Sequence, residues 1–200
     1  MTDQAYAYTS IAATTAAVTN RFVASTNMIV GAYTVANASP VWGGGCLVTV
    51  THTQVGGVTD TLGTITVVGT DPSGSAISET LTPVSASTVT GTKIFRTVTS
   101  VTGVGWVINT GNDTIVVGCA AGSYPIAGPG VLHSIVVNTT AAATVVVSDA
   151  RGTIATLKAS IAEGVYLFDV MVSGYLKVAT TSTNDITVTH SQSVPSYPLG

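Results

Sequence analysis

Charged side chains are scarce in this chain. Of 200 residues, 6 are basic and 9 acidic, which is 8% of the total, and the formal net charge is −3. A typical globular protein has about 25% charged residues. Nucleic-acid binding needs clustered lysine and arginine, so the composition argues against a nucleic-acid partner. We expect threonine, serine and asparagine to carry part of the surface, and other copies or a partner to bury the rest.

A long apolar segment and a targeting signal are also lacking. No run of about 18 apolar residues could form a membrane helix, and Asp3 stands where a signal peptide would carry positive charge. We therefore expect no membrane partner. The chain has two cysteines, Cys46 and Cys119. Without a secretory signal, reduced and buried thiols are favoured over a disulfide, which the sequence leaves open.

Residues that could do chemistry are few and scattered. No histidine lies near another histidine or near a cysteine in the sequence, so metal-ligand spacing is absent. No G-x-S-x-G motif marks a nucleophilic serine, and no Lys-Ser/Thr follows Gly43-Gly44-Gly45 as a phosphate-binding loop requires. We therefore predict no enzymatic activity, no catalytic or metal-binding residue and no cofactor. The histidines, each expected within a strand and satisfied at a sheet end, are His52, His133 and His190.

Five aspartates lie beside residues that favour turns, and turn formation is the simplest interpretation of each. A calcium-binding loop is the alternative, but the alternating acidic pattern of such loops is absent. The five are Asp60, Asp71, Asp113, Asp149 and Asp185.

Threonine and valine are abundant, with 35 Thr and 31 Val. Both are β-branched and suit a pleated sheet, so the chain is predicted to be all-β. Residues 62–101 illustrate the pattern, because Thr64 and Thr66 alternate with Ile65 and Val67. An Asp-Pro-Ser-Gly turn at 71–74 predicts a hairpin, and a third strand begins at Lys93.

Changes in composition suggest two domains. We predict two antiparallel β-sandwich or jelly-roll-like domains with an extended N-terminal arm. The glycine- and proline-rich stretch GCAAGSYPIAGPG indicates the crossing between them. Six short strands are expected in the second half, at 131–137, 144–148, 153–157, 165–172, 175–179 and 185–190. The predicted segments are the arm at 1–27, the first domain at 28–120, a linker at 121–130, the second domain at 131–190 and a tail at 191–200.

Two charges occupy apolar sides of the central strands. By alternation along the strand, Glu79 is expected on the same side as Ile77 and Leu81. Arg96 is expected on the same side as Ile94 and Val98. One hypothesis pairs Glu79 with Arg96 across the sheet, or one of them with a neighbouring subunit. The alternative is that a bulge turns each charge to solvent.

One segment resembles a known module. The run GTITVVGTDPSGSAISETLTP, followed by VTGTKIFRTVTSVTGVG and NDTIVVG, is similar to a hairpin and two strands found in virion proteins of tailed bacteriophages. The matching elements are residues 68–81, 91–101 and 113–118. The second half, with VLHSIVVNT, TVVVSDARGTIATL, GVYLFDVMVSGYLKV and DITVTH, resembles small β modules of phage structural proteins. The resemblance covers about residues 46–190.

The resemblance implies a structural role in the virion. The expected function is that of a non-enzymatic decoration or cement protein, which binds the exterior of the assembled capsid and stabilises it. The implied partners are the major capsid protein and other copies of the chain, as a homotrimer, and the implied location is the virion, assembled in the host cytoplasm. The arm and the first domain would anchor the protein to the capsid, and the second domain would project outward from the capsid surface.

Two other functions stay open. The chain could be a tail, neck or fibre component that contacts other tail proteins or the host surface. It could also be a carbohydrate-binding or adhesin module, for which clustered aromatic residues would form the binding face. Trp42 and Trp106 both lie in glycine-bracketed loops, where packing into the core is the simpler interpretation.

Overall fold

The chain folds into β-strands joined by turns. Within the part that the structure describes, it forms sixteen strands and one short 3-10 helix, and each strand pairing is antiparallel. The all-β prediction is therefore confirmed. The structure is a computed structural model that describes residues 6–11, 17–40, 44–56, 60–72, 74–109, 111–140, 143–180 and 185–192.

Two compact units make up the chain. One is continuous and comprises residues 16–121, whereas the other combines residues 1–15 with residues 122–200. We call them the inserted unit and the split unit, because the first interrupts the sequence of the second.

The inserted unit contains eight strands in two sheets, with orders β2-β9-β4-β7 and β3-β8-β5-β6. The 3-10 helix, Met28–Val30, lies between its first two strands. The strands are β2 (Val18–Asn27), β3 (Ala32–Tyr33), β4 (Cys46–Thr53), β5 (Thr61–Thr70), β6 (Ala76–Leu81), β7 (Thr88–Phe95), β8 (Thr97–Val107) and β9 (Thr114–Cys119).

The split unit also contains eight strands in two sheets, with orders β1-β16-β11-β14 and β10-β15-β12-β13. All six strands expected in the second half of the chain are present here. The strands are β1 (Ala7–Ile11), β10 (Ser123–Ala127), β11 (Gly130–Thr139), β12 (Val145–Asp149), β13 (Gly152–Leu157), β14 (Gly164–Val172), β15 (Tyr175–Thr180) and β16 (Asp185–Gln192).

The two units share one strand order. When the strands of each unit are numbered from one to eight along the chain, one sheet reads 1-8-3-6 and the other 2-7-4-5 in both units. Neighbouring strands in a sheet are therefore mostly distant in sequence. In the split unit the first strand pairs with the last. β1 and β16 are therefore neighbours in a sheet although the whole inserted unit lies between them in the sequence.

Each unit has its own core, supplied by both of its sheets. In the inserted unit the core includes Phe22, Ile65, Phe95 and Ile115, all fully buried. Trp106 packs against this cluster, as expected for a core residue, whereas Trp42 lies outside the described residues. The split unit buries a smaller cluster, which includes Leu132, Ile135, Val147, Leu157, Leu176, Ile186 and Val188.

The structure differs from the expected N-terminal arm over 1–27. Residues 7–11 form β1, which pairs with β16, and residues 18–27 form β2, which pairs with β9. Register shifts interrupt β2 on both sides of Val23, and the adjacent Phe22 and Val23 are both buried. Two consecutive buried residues break the period-2 pattern, so the sequence does not read as a strand.

The stretch expected as a linker, 121–130, also forms structure. It contains β10, an edge strand that pairs with β15, and Tyr124 within it is buried. An edge strand tolerates proline, so Pro125 does not prevent its formation. Of the expected tail at 191–200, residues 191 and 192 end β16, and residues 193–200 lie outside the described part.

Candidate functional site

Glu79 does not meet Arg96. Its carboxylate instead reaches from β6 to β7, where Oε1 accepts hydrogen bonds from the backbone N–H of Thr92 at 2.6 Å and the Thr92 hydroxyl at 2.9 Å. Oε2 accepts from the backbone N–H of Lys93 at 3.3 Å. Because β6 and β7 are edge strands of different sheets, Glu79 joins the two sheets of the inserted unit. A β-carbon at Gly91 would collide with this carboxylate.

Arg96 lies at a break between two strands. The chain leaves one sheet after Phe95, at the end of β7, and enters the other at Thr97, the start of β8. The inference that Arg96 lies on the same side as Ile94 assumed one continuous strand. The break between β7 and β8 removes that assumption. The exposed Arg96 donates from Nη1 to the carbonyl oxygen of Pro72 at 3.3 Å.

His52 and Asp113 form a fully buried pair in the inserted unit. Nε2 of His52 lies 2.9 Å from Oδ2 of Asp113. Nδ1 of His52 accepts from the backbone N–H of Ala86 at 3.2 Å, so Nε2 carries the proton and donates to the carboxylate. Oδ1 of Asp113 accepts from the backbone N–H of Val55 at 2.7 Å. Both ring nitrogens and both carboxylate oxygens are engaged, so the pair fastens loops together rather than facing a substrate.

Asp149 anchors the turn between β12 and β13, as expected for a turn aspartate. It accepts hydrogen bonds from the backbone N–H of Arg151 at 2.8 Å, from the Arg151 guanidinium at 2.7 and 2.9 Å, and from the backbone N–H of Ser173 at 2.9 Å. Burial alone would raise the pKa of Asp149. The hydrogen bonds and the Arg151 charge outweigh burial and lower the pKa to about 2.

An open depression of about 480 Å³ adjoins this turn, lined by Asp149, Arg151, Ile154, Val170 and Met171 among others. The Arg151 guanidinium, which could have faced a ligand there, also donates to the carbonyl oxygen of Met171 at 2.7 Å. The Asp149 carboxylate and the Arg151 guanidinium therefore form hydrogen bonds within the turn and to β14, which indicates a structural role.

The cysteines lie side by side in the core of the inserted unit. Cys46 and Cys119 are both buried, and their Sγ atoms are 2.6 Å apart, closer than two separate thiols pack and longer than the roughly 2.05 Å of a disulfide bond. The hydrogen bond between them and burial both raise the pKa of the Cys46 thiol, so it stays protonated and unreactive at neutral pH.

A different kind of cluster lies on the outer face of the β1-β16-β11-β14 sheet. Nδ1 of His133, on β11, lies 2.5 Å from Oδ1 of Asp169, on β14, with 32% and 61% of the side chains exposed. The Tyr6 ring stacks on the His133 ring, with centroids 4.5 Å apart and an interplanar angle of 25°. Tyr8, on β1, is 76% exposed. We call Tyr6, Tyr8, His133 and Asp169 the surface cluster.

The backbone is irregular at this cluster. Both partners of β11 change register between Leu132 and Ser134, so His133 sits in a bulge, and Asp169 opposite it has a φ of 48°. A left-handed conformation in a non-glycine residue costs about 1 kcal/mol or more. An exposed contact between two such side chains returns about 0–1 kcal/mol. The contact between His133 and Asp169 does not offset the strain, which points away from a purely stabilising role.

The bulge explains why the sequence did not reveal His133. Strict alternation places His133 with Val131, Ile135 and Val137, on the inward side. The extra residue in β11 shifts the alternation, so that Leu132 and Ile135 are buried and His133 is partly exposed. His190 keeps the expected inward position in β16 and is buried, and burial lowers its pKa. No sequence signal marks the partnership of Tyr6, His133 and Asp169, because it depends on strand order.

Neither a cluster of metal-ligand residues nor a membrane-spanning helix is present in the described part of the chain. There, no three residues of the types His, Cys, Asp and Glu lie close enough to hold a metal ion. None of its helical residues form a segment long and apolar enough to cross a membrane.

Comparisons with protein-family models, curated proteins and solved structures found no match to this chain. The resemblance to phage virion proteins therefore stays a prediction.

Proposed function

We propose that this chain is a non-enzymatic structural protein of a tailed-bacteriophage virion, which binds the capsid exterior as a decoration or cement protein and stabilises it. The observation that carries the proposal is the strand order common to both units. From two four-stranded antiparallel sheets with orders 1-8-3-6 and 2-7-4-5, we infer that each unit is a jelly roll. Jelly rolls recur in viral capsid and lectin domains, so the strand order supports a virion role by analogy of fold, together with the sequence resemblance.

The polar side-chain contacts of the inserted unit support a scaffold role. The His52–Asp113 pair and the Glu79 carboxylate use their hydrogen-bonding atoms to fasten strands and loops of the inserted unit. On the outside of that unit, threonine hydroxyls bond across strands, as between Thr66 and Thr80 at 3.0 Å. A surface built from threonine rather than lysine suits a protein that packs against a lattice of neutral surfaces.

The inserted unit carries an apolar patch suited to anchoring. Ile29, Val30, Val104 and Val107 are all exposed. The backbone N–H of Gly103 donates to the carbonyl oxygen of the residue after Val30, so Val30 lies beside the β8 segment that carries Val104. We call these four residues the apolar patch. Neighbouring exposed apolar residues such as Val30 and Val104 are typical of protein contact sites.

The partners in this proposal are the major capsid protein and other copies of the chain, as a homotrimer. A modest contact repeated by symmetry gains avidity of about 10²–10⁴ without new interactions. The inserted unit, which carries the exposed residues Val30 and Val104, would bind the capsid.

The experiment uses capsids assembled without this protein. Val104→Lys places a charge in the apolar patch and should reduce capsid binding at least about tenfold, the effect of burying an unpaired charge. Val165→Lys is a matched control, because Val104 and Val165 are strand valines with 64% and 62% exposure in different units. The wild-type chain should also raise the temperature at which capsids release DNA.

Failure of the wild-type chain to bind capsids would exclude the decoration role. Equal binding by the two variants would exclude the apolar patch as the anchor. Deleting residues 1–27 is not a usable test, because it removes β1 and β2 and with them one edge strand from each unit. The number of copies in each virion distinguishes the decoration role from the tail or fibre alternative, since a decoration protein is present in many copies and a tail component in few.

A further inference from the structure

The surface cluster has features of a ligand site rather than of a stabilising contact. Its contact between His133 and Asp169 is exposed, its backbone is strained at Asp169, and β11 is bulged at His133. Strained residues and bulges that packing does not require occur at binding and catalytic sites.

The charge of this face limits the ligand class. The four strands of the sheet, AYTSI, GVLHSIVVNT, GVYLFDVMV and DITVTHSQ, contain no lysine or arginine. Phosphate or carboxylate groups would find no cationic side chain on these four strands, and they would face Asp169. Anionic ligands, nucleic acids included, are therefore disfavoured.

The remaining chemistry combines aromatic rings with fixed polar groups. Tyr6 and Tyr8 supply flat apolar surface, and Tyr8 pairs in register with Thr189 of β16. His133 is held by Asp169 through Nδ1, which leaves Nε2 for a ligand, and the second oxygen of Asp169 can accept further hydrogen bonds. A ligand that fits has one apolar face, a rim of groups that both donate and accept, and no charge.

We propose that the surface cluster binds a neutral saccharide. Tyr6 and Tyr8 contact the C–H face of a pyranose ring, and His133 and Asp169 hydrogen-bond to its hydroxyl groups. Hydroxyl groups suit this pair because they donate to the carboxylate and also exchange hydrogen bonds with the imidazole. The site is shallow, so one monosaccharide should bind with a dissociation constant on the order of 1 mM, and several copies in an array would raise the avidity. The proposal does not depend on the capsid role.

The test titrates the full-length, ¹⁵N-labelled chain with glucose, galactose, mannose, N-acetylglucosamine and N-acetylgalactosamine, each to about 50 mM, well above the expected dissociation constant. Amide signals of residues 6–8, 132–134 and 167–170 should shift with at least one sugar. Sodium phosphate at the same concentration should leave these signals in place. No shift with any of the five sugars, or shifts confined to other residues, would overturn the proposal.

Asp169→Gly separates binding from folding. Glycine adopts positive φ without strain, so this variant should melt at the same temperature as the wild type or higher. Its sugar affinity should fall about tenfold or more, because the charge-assisted hydrogen bonds from the sugar to Asp169 are lost. Tyr8→Ala should weaken binding similarly without changing stability. Val165→Ser, on the exposed end of β14, is the control and should bind normally. Undiminished sugar affinity in both Asp169→Gly and Tyr8→Ala would overturn the site.

A protein partner is the competing occupant, because Leu167 and Met171 on the same face are also exposed. Sedimentation of the full-length chain tests it directly. Self-association that Leu167→Lys abolishes, together with no response to the sugars, would identify the face as a protein contact and overturn the saccharide proposal.

Discussion

Nε2 of His52 lies 2.9 Å from Oδ2 of Asp113, and neither side chain has any exposed area. The two residues are 61 positions apart in the sequence, and they meet because β4 and β9 are neighbours in one sheet. Breaking a buried, hydrogen-bonded pair leaves its partner unsatisfied, which costs far more than losing an exposed pair.

Asp113→Asn should destabilise the protein by about 2–4 kcal/mol. Both partners of the carboxylate, Nε2 of His52 and the backbone N–H of Val55, are donors. Whichever way the new amide is turned, its NH₂ group faces one of them. Urea denaturation followed by circular dichroism measures the change.

The matched control for that substitution is Asp185→Asn. Asp185 accepts a hydrogen bond from Asn138 in an exposed setting, so the free energy of unfolding should change by about 0.5 kcal/mol or less. Similar losses for Asp113→Asn and Asp185→Asn would contradict the structural role of the His52–Asp113 pair.

Gly91→Ala should destabilise the inserted unit by about 1–3 kcal/mol, because its β-carbon displaces the Glu79 carboxylate from Thr92. Glu79→Ala should cost about 0.5–1.5 kcal/mol, because the hydrogen bonds that it removes from Thr92 are exposed to water. The double variant should lose less free energy of unfolding than the two single variants lose in total, since each change breaks the same contact. Strict additivity would argue against this coupling. Arg96→Gln, which removes one exposed hydrogen bond to Pro72, should be nearly neutral.

Asp149 should contribute to the acid sensitivity of the protein. Its pKa is about 2 in the folded chain, against about 3.9 for an ordinary aspartate. Because the folded pKa is the lower one, its stabilising contribution is complete above about pH 4 and is lost as the pH falls through about 2. Denaturant titrations from about pH 5 to 2 should show a steeper loss of stability in the wild type than in Asp149→Asn. Parallel slopes would contradict the assignment.

The two cysteines should resist alkylation while the protein is folded. Cys46 and Cys119 are buried, and the raised pKa of Cys46 suppresses the reactive thiolate. Iodoacetamide at about pH 8 should label neither in buffer and both in guanidinium chloride, as read by intact mass. Rapid labelling of the folded chain would contradict this. A mass lower by two hydrogens, with no labelling after unfolding, would instead reveal a disulfide.

Regular strands were accessible from the sequence because their signal is local. Alternation predicts strands such as β5, and the Asp71 turn is present as expected, with its carboxylate accepting from Ser75 at 2.9 Å. The signal failed where the alternation is interrupted. Phe22 and Val23 are adjacent and both buried in β2, His133 sits in a bulge, and Arg96 stands between two sheets. Each interruption shifts the parity by one residue and reverses the inferred direction of the side chains beyond it.

Composition and period-2 patterning by themselves determined that this chain is all-β, has few charges and has sheet surfaces rich in threonine. Tertiary structure decided the rest: that β1 closes the split unit against β16, that one unit is inserted in the other, and that Tyr6 stacks on His133 beside Asp169. The reason is physical. A strand's pattern depends on its own residues, whereas its neighbours depend on which distant strands pair with it, and no local pattern records that choice.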